Sequence, residues 1–193
     1  MHACCQVVSI VAEGAPEPRR LLAALNARLP FDVAVRSVSE APDGFSARFS
    51  AAERRYEYRV LPGPRSALRR DRTLAHPDTL DLALLNEAAS ATVGQHDFRA
   101  FTPTQTQHVF FHRTVTVCSW EPRGDELVFT IAANAFLRHM VRVLVGTQLL
   151  VGRRAWPIER YRALLSGAPR GAAGPTAPAH ALCLVGVTYD PSG

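Results

Sequence analysis

The stretch "FFHRTVTVCSWEPRGDELVFTIAA", residues 110–133, decides the fold class. Two runs rich in β-branched and aromatic residues are joined by "PRGD", Pro122–Asp125. That pattern is an antiparallel hairpin with a tight Gly-containing turn. Working outward, "RRYEYRVL" (54–61) alternates strictly: Tyr56, Tyr58 and Val60 share one face, and Arg55, Glu57 and Arg59 the other. "LCLVGVTY" (182–189), "CCQVVSIV" (4–11) and the alternating "FDVAVRSVSE" (31–40) also have strand character. Between these runs lie helical patterns at 16–30, at 78–94 with Gly94 as its stop, and after Pro157. A long helix is expected over "NAFLRHMVRVLVGTQLLVG" (134–152), capped by Asn134. "APDGFSARFSA" (41–51) reads as a turn and an extended stretch. "PGPRSALRRDRTLAHP" (62–77), "QHDFRAFTPTQTQ" (95–107) and "GAPRGAAGPTAPAHA" (167–181) read as loops. Interspersed strands and helices around a tight hairpin favour an α+β fold, a mainly antiparallel sheet with helices packed on one face.

The chain has 193 residues, room for one large domain or two small ones. Its formal net charge is +5, and all 22 basic side chains are arginine. Arginine presents a planar fork to phosphate and a flat face to bases, so a basic, lysine-free chain points toward nucleic acid. Codon bias is the competing explanation for the missing lysine. The four cysteines, Cys4, Cys5, Cys118 and Cys183, contain no C-x-x-C spacing, which argues against a zinc site or a dithiol redox pair. His108 and His112 are four apart but fall in a strand-like segment, so no metal site is expected. No apolar run reaches spanning length, and a reduced, cytoplasmic setting fits the cysteine usage.

Arg142 interrupts a helix that is apolar nearly all round. A buried guanidinium without an anion is costly, so a carboxylate or phosphate should meet it, unless the side chain snorkels to the surface. Arg138, one helical turn earlier, is expected on the same side, giving two cations facing one anionic site.

Four segments taken in order resemble the tRNA pseudouridine synthase A family: "GFSARFSAAERRYEYRVL", "GQHDFRAFT", "IAANAFLRHMVRVLVGTQLLVG" and "AGPTAPAHALCLVGVTY". The resemblance implies a pseudouridine-synthase-like fold that isomerises uridine to pseudouridine at positions 38–40 of the tRNA anticodon stem-loop. It implies no cofactor, and a homodimer with tRNA lying across both subunits. It matches Tyr56 to the tyrosine that stacks on the target base and Arg142 to the cation that pairs with the catalytic aspartate. Arg48 and Arg55 match positive positions around the cleft, with Arg138 and His2 as further RNA-binding positions. By residue type alone, Tyr56 reads equally as an ordinary strand aromatic, and "HDF" as a loop held by Phe98 and Phe101.

Family members carry an Arg-Thr-Asp-x-Gly-Val-His motif whose aspartate is the nucleophile. His2 aligns with its histidine, Gln6-Val7-Val8 with the segment that follows, and Met1 with the valine. The nucleophilic aspartate is therefore expected before Met1, with a GTG valine codon read as a start. On this expectation residues 1–44 are the remnant of an N-terminal catalytic subdomain and 45–193 the C-terminal subdomain. The chain alone is inactive and poorly soluble, with an apolar edge beginning at Cys4. A catalytically inert RNA-binding module of the same fold is the alternative. Asp97, in a family motif, is the fallback acid.

Overall fold

The computed structural model describes residues 1–12, 14 and 16–189. The chain forms two compact units, one from Met1–Gln6 and Ala52–Thr188, the other from Val7–Ala51 together with Tyr189. The larger unit is built on a sheet. Its strands are β1 (His2–Ala3), β2 (Ala51–Pro62), β3 (Leu74–His76), β4 (Gly94–Asp97), β5 (His112–Arg123), β6 (Glu126–Ala133) and β7 (Leu182–Tyr189). Their order is β1-β7-β2-β6-β5-β4, with β3 added at the C-terminal end of β2. The central β2–β6, β6–β5 and β5–β4 pairings are antiparallel, while β1–β7 and β2–β3 are parallel. The expected α+β class, mostly antiparallel, is the one observed.

The hairpin forms as its sequence dictates, with Gly124 at positive φ (65°) in the turn and Arg123 paired to Glu126. One feature of β5 is hidden in its letters. Val115 and Val117 alternate in one parity, yet the buried residues are Val115, Cys118 and Trp120. A bulge between Val115 and Val117 moves the parity. Thr116, at the bulge, donates its hydroxyl to Glu53 Oε2 at 2.6 Å. Register then stacks Tyr58 beside Phe129 and Trp120, and Tyr56 beside Ile131 and Cys118, on one face. On the other face Glu57 pairs with Arg59 and Arg123.

Three helices contribute to the larger unit's core: α2 (Leu82–Thr92), α3 (Met140–Gly152) and α4 (Ile158–Leu164). Asp81 caps α2, accepting from the backbone N–H groups of Ala83 and Leu84. A closed polar network crosses the core. Gln148 on α3, fully buried, accepts from Trp120 Nε1 at 2.7 Å and donates to Tyr161 Oη at 2.8 Å and Thr92 Oγ1 at 3.2 Å. The Tyr161 and Thr92 hydroxyls lie 2.6 Å apart, and Thr92 donates on to Ala88 O. Every polar atom of this set has a partner, as burial requires. No helix among the described residues is long and apolar enough to cross a membrane.

In the smaller unit, helix α1 (Pro18–Asn26) forms where its periodicity places it, but buries no residue. The Asn26 side chain bonds both backbone groups of Val35. Tyr189 stacks obliquely on Phe45, with ring centroids 5.0 Å apart, and donates to Ala47 O.

Several expectations fail for local reasons. Of the strand expected over 4–11 none forms: only His2–Ala3 pair with β7, and the chain bends at Cys4–Cys5. No strand forms over 31–40 either, and the extended part of 41–51 is largely turn. Alternation supplies a strand's faces but not its neighbour, and no described strand lies hydrogen-bonded beside these runs. Conversely, Gln95–Asp97 and Leu74–His76, read as loop, become strand because β5 and β2 offer them edges, and Gly94, read as a helix stop, opens the first of these strands. The long helix begins six residues late, at Met140. His139 is left-handed (φ 61°, ψ 1°), which a continuing helix does not allow. Asn134 caps nothing helical, and its Oδ1 instead accepts from Thr114 N and Ala135 N at the end of β6.

Replacing Gln148 with alanine leaves the Trp120 indole N–H unpaired and opens a void. The expected loss is about 3–5 kcal/mol of unfolding free energy, measured by urea titration.

Candidate active site

At the start of α3 lies a cleft of about 300 Å³, lined by Tyr56, Phe136, His139, Arg142, Leu182 and Met1 among others. Tyr56 reaches it because β2 turns its even-numbered residues to the helix side. Its ring meets Phe136 edge-on, with centroids 5.1 Å apart at 90°. Burial raises the Tyr56 hydroxyl's pKa, opposed by nearby Arg54, so the ring is a neutral platform near pH 7.

Arg142 is placed by two clamps. The segment Gly174–Pro178 runs against α3, where the Ala177 N–H donates to Arg142 O (3.0 Å) and Arg142 Nε donates to Ala177 O (2.6 Å). This close approach requires glycine. A Cβ on Gly146 would sit 2.0 Å from Pro175 O, and one on Gly174 2.9 Å from Thr147 Cα. Gly174 N also donates to Thr147 Oγ1, and Tyr58 Oη donates to Pro178 O. With Nε committed to the loop, the guanidinium's two terminal nitrogens have no partner among the described residues.

The site is cationic. Arg142 falls in the first turn of α3, which holds no acidic residue, although the helix dipole already makes that end positive. Next to it, His139 has its imidazole pKa lowered, by burial and then by Arg142, Arg138 and Arg170. No carboxylate lines the cleft among the described residues. An aromatic face beside the Arg142 guanidinium suits a flat, anionic partner.

The structure gathers some expected residues and separates others. Tyr56 and Arg142 line one cleft. Arg138 is exposed and lies before α3, so the expected pair of cations on one helical face does not exist; Arg138 acts on His139 through space instead. Arg142 likewise lies in the opening turn rather than mid-helix. Arg55 points to the opposite face of β2 from Tyr56 and lies 3.6 Å from Glu53. His2 Nε2 bonds Asp71 O at 2.6 Å. Arg48 belongs to the smaller unit, where its guanidinium lies over Phe49. Asp97 does not line the cleft: its Oδ1 accepts from Arg99 N, and it packs against Gly167. Phe98 and Phe101 are fully buried, so the "HDF" segment is held by packing as expected. His108 and His112 join no metal-binding group among the described residues. Sequence reading did not single out His139 and Phe136, which line the cleft. The only letter signal was a histidine next to Arg138.

The fold and cleft define an α+β protein whose mostly antiparallel sheet carries an aromatic and a cationic side chain into one cleft. A family model described as tRNA pseudouridine synthase matches residues 88–190. The chain is 40% identical over 190 residues to the tRNA pseudouridine synthase A of Xanthomonas campestris pv. campestris (strain B100), covering 98% of this chain and 74% of that protein. It is 38% identical to the tRNA pseudouridine synthase A of Anoxybacillus flavithermus, over 98% of this chain and 77% of that protein. With that of Chloroflexus aurantiacus (strain J-10-fl) it shares 39% over 200 residues, 99% of this chain and 70% of that protein. The chain belongs to the tRNA pseudouridine synthase family. It spans about three-quarters of the length of these relatives.

Two outcomes are expected. Gly146→Ala forces the Pro175 loop off α3 and costs about 3 kcal/mol of stability in urea titration. Because the folded-state pKa of His139 lies below its unfolded value, the unfolded chain takes up that proton first. The native state therefore loses stability as pH falls below about 6.5 and is unaffected above. His139→Asn, which tolerates the left-handed backbone, should make stability fall less steeply than wild type between pH 7 and 5.

Proposed function

We propose that this chain is the larger part of a tRNA pseudouridine(38–40) synthase, an isomerase acting on uridine in the anticodon stem-loop. The observation that carries the reading is the state of Arg142: held by Ala177, aimed into the cleft of Tyr56, and lacking a carboxylate among the described residues. The missing anion is the nucleophilic aspartate of the Arg-Thr-Asp motif, placed just upstream of Met1. The target uridine leaves the stack and lies against Tyr56. The aspartate stays ionised beside Arg142. The N1–C1′ bond breaks, the base rotates, and a C5–C1′ bond forms. The C5 proton is lost and N1 gains one, so atoms balance without a cofactor. Arg48, Arg55, Arg138 and His2 contact the RNA, and the enzyme works in the cytoplasm as a homodimer. Family membership and the relatives' names support the reaction class.

The test is a chain extended upstream through the Arg-Thr-Asp codons, incubated with tRNA transcripts and assayed for pseudouridine at 38–40. The extended chain should form product and residues 1–193 none. Arg142→Ala in the extended chain should lower kcat at least about 100-fold. Product from residues 1–193 overturns the placement of the nucleophile and makes Asp97 the first acid to replace. If the extended chain binds but never converts tRNA, the inert RNA-binding reading holds. In either case RNA affinity should fall steeply with added salt, as arginine–phosphate contacts require.

A further inference from the structure

Sequence spacing gave no reason to connect the cysteines, but the sheet does. β1 pairs with β7 so that His2 faces Cys183 and Ala3 faces Leu184, and Cys4 N donates to Leu184 O at 2.8 Å. The bend after β1 then sets Cys4 Sγ 3.4 Å from Cys183 Sγ, across 179 positions of sequence. Cys4 is exposed and Cys183 half-buried, so small solutes reach the pair. Cys118, by contrast, is sealed in the core, and burial pushes its thiol up to about 12.

We propose that Cys4 and Cys183 are a reversible oxidation site whose substrate is a low-molecular-weight disulfide such as oxidised glutathione. The Cys4 thiolate attacks one sulfur of the small disulfide, forming a Cys4 mixed disulfide and releasing one thiol. The Cys183 thiolate then attacks Cys4 Sγ, closing the protein disulfide and releasing the second thiol. Two protein thiols are oxidised and one small disulfide is reduced to two thiols, so electrons balance. Cys183 suits the second, intramolecular step: burial and the contact with Cys4 push its thiol up to about 11, which makes it a poor first attacker in solution. An exposed bond of this kind is reducible, which puts it with labile rather than structural disulfides.

The location gives the bond a consequence. Met1, just before β1, and Leu182, the first residue of β7, both line the cleft of Tyr56 and Arg142. A Cys4–Cys183 bond ties these two walls together. It also closes nearly the whole chain into one loop, the condition under which a disulfide restricts the unfolded state most. The proposal does not depend on the nucleotide chemistry of the cleft.

The experiment uses residues 1–193, reduced and then treated with excess oxidised glutathione. Expected are a net mass loss of about 2 Da, a Cys4–Cys183 cross-linked peptide, and reversal by dithiothreitol. Oxidation should raise the melting temperature by on the order of 10 °C. Cys5→Ser should behave like wild type, and Cys4→Ser should lose both the cross-link and the shift. Both replaced residues are exposed, so neither variant disturbs the core. A persistent glutathione adduct on Cys4, a bond involving Cys5, a disulfide-linked dimer, or no reaction would each overturn the proposal.

Discussion

The position of α3 is the constraint from which the larger unit and its cleft follow, and Gln148 sets it. A primary amide in an apolar core is tolerable only if its donors and its acceptor are all engaged, because each orphaned group costs its full desolvation. Here Trp120 of β5, Thr92 of α2 and Tyr161 of α4 satisfy Gln148 together. No one of these elements can slide without breaking a bond of the set. Apolar packing around the network supplies most of the burial energy and itself resists sliding. The directional bonds of Gln148 add a specific axial register to it.

From that anchor the geometry runs toward the N-terminus of α3. Thr147 receives the Gly174 N–H, Gly146 admits the Pro175 carbonyl, and Arg142 exchanges two bonds with Ala177. The loop reads each turn of the helix in succession. A helix fixed axially and a loop fixed to the helix leave the guanidinium little freedom, and Tyr58 ties the same loop to the sheet through Pro178. The strand that carries Tyr58 also carries Tyr56 two residues earlier, on the same face. The Tyr56 ring and the Arg142 guanidinium are thus referred to one frame, the geometric precondition for the role proposed for them above.

Much of this was legible in the letters. The hairpin, the Tyr56–Tyr58–Val60 face, α2, α4 and the last strand announce themselves by period and turn residues. Failures cluster where a local signal needed a distant partner. The run Val7–Val11 and the alternation at 31–40 have strand letters without a strand beside them, while Gln95–Asp97 has loop letters and an edge to fill. The bulge after Val115 could not be read, since it changes which parity faces the core without changing composition. The late start of α3 turns on one backbone angle at His139, a residue that tolerates the left-handed region better than most but does not advertise it. Of the cleft, Tyr56 and Arg142 were legible through their segments. Phe136 was not, because the turn between β6 and α3 brings it in.

The late helix start also changes what Arg142 means. In mid-helix, an arginine among apolar residues is chiefly a desolvation problem that some carboxylate must solve. In the opening turn it is a cation added to an end already positive, with His139 beside it driven toward its neutral form by burial and then by three arginines. Such a concentration of positive potential is maintained against its own repulsion, and the usual compensation at a helix start, an acidic residue in the first turn, is missing. The fold spends Gly146, Gly174 and the Ala177 carbonyl on holding this arginine in place rather than releasing it to solvent, where charge alone would send it. An arrangement held against its own repulsion in this way favours an incoming negative charge, and the cleft that would receive it is the one Tyr56 lines.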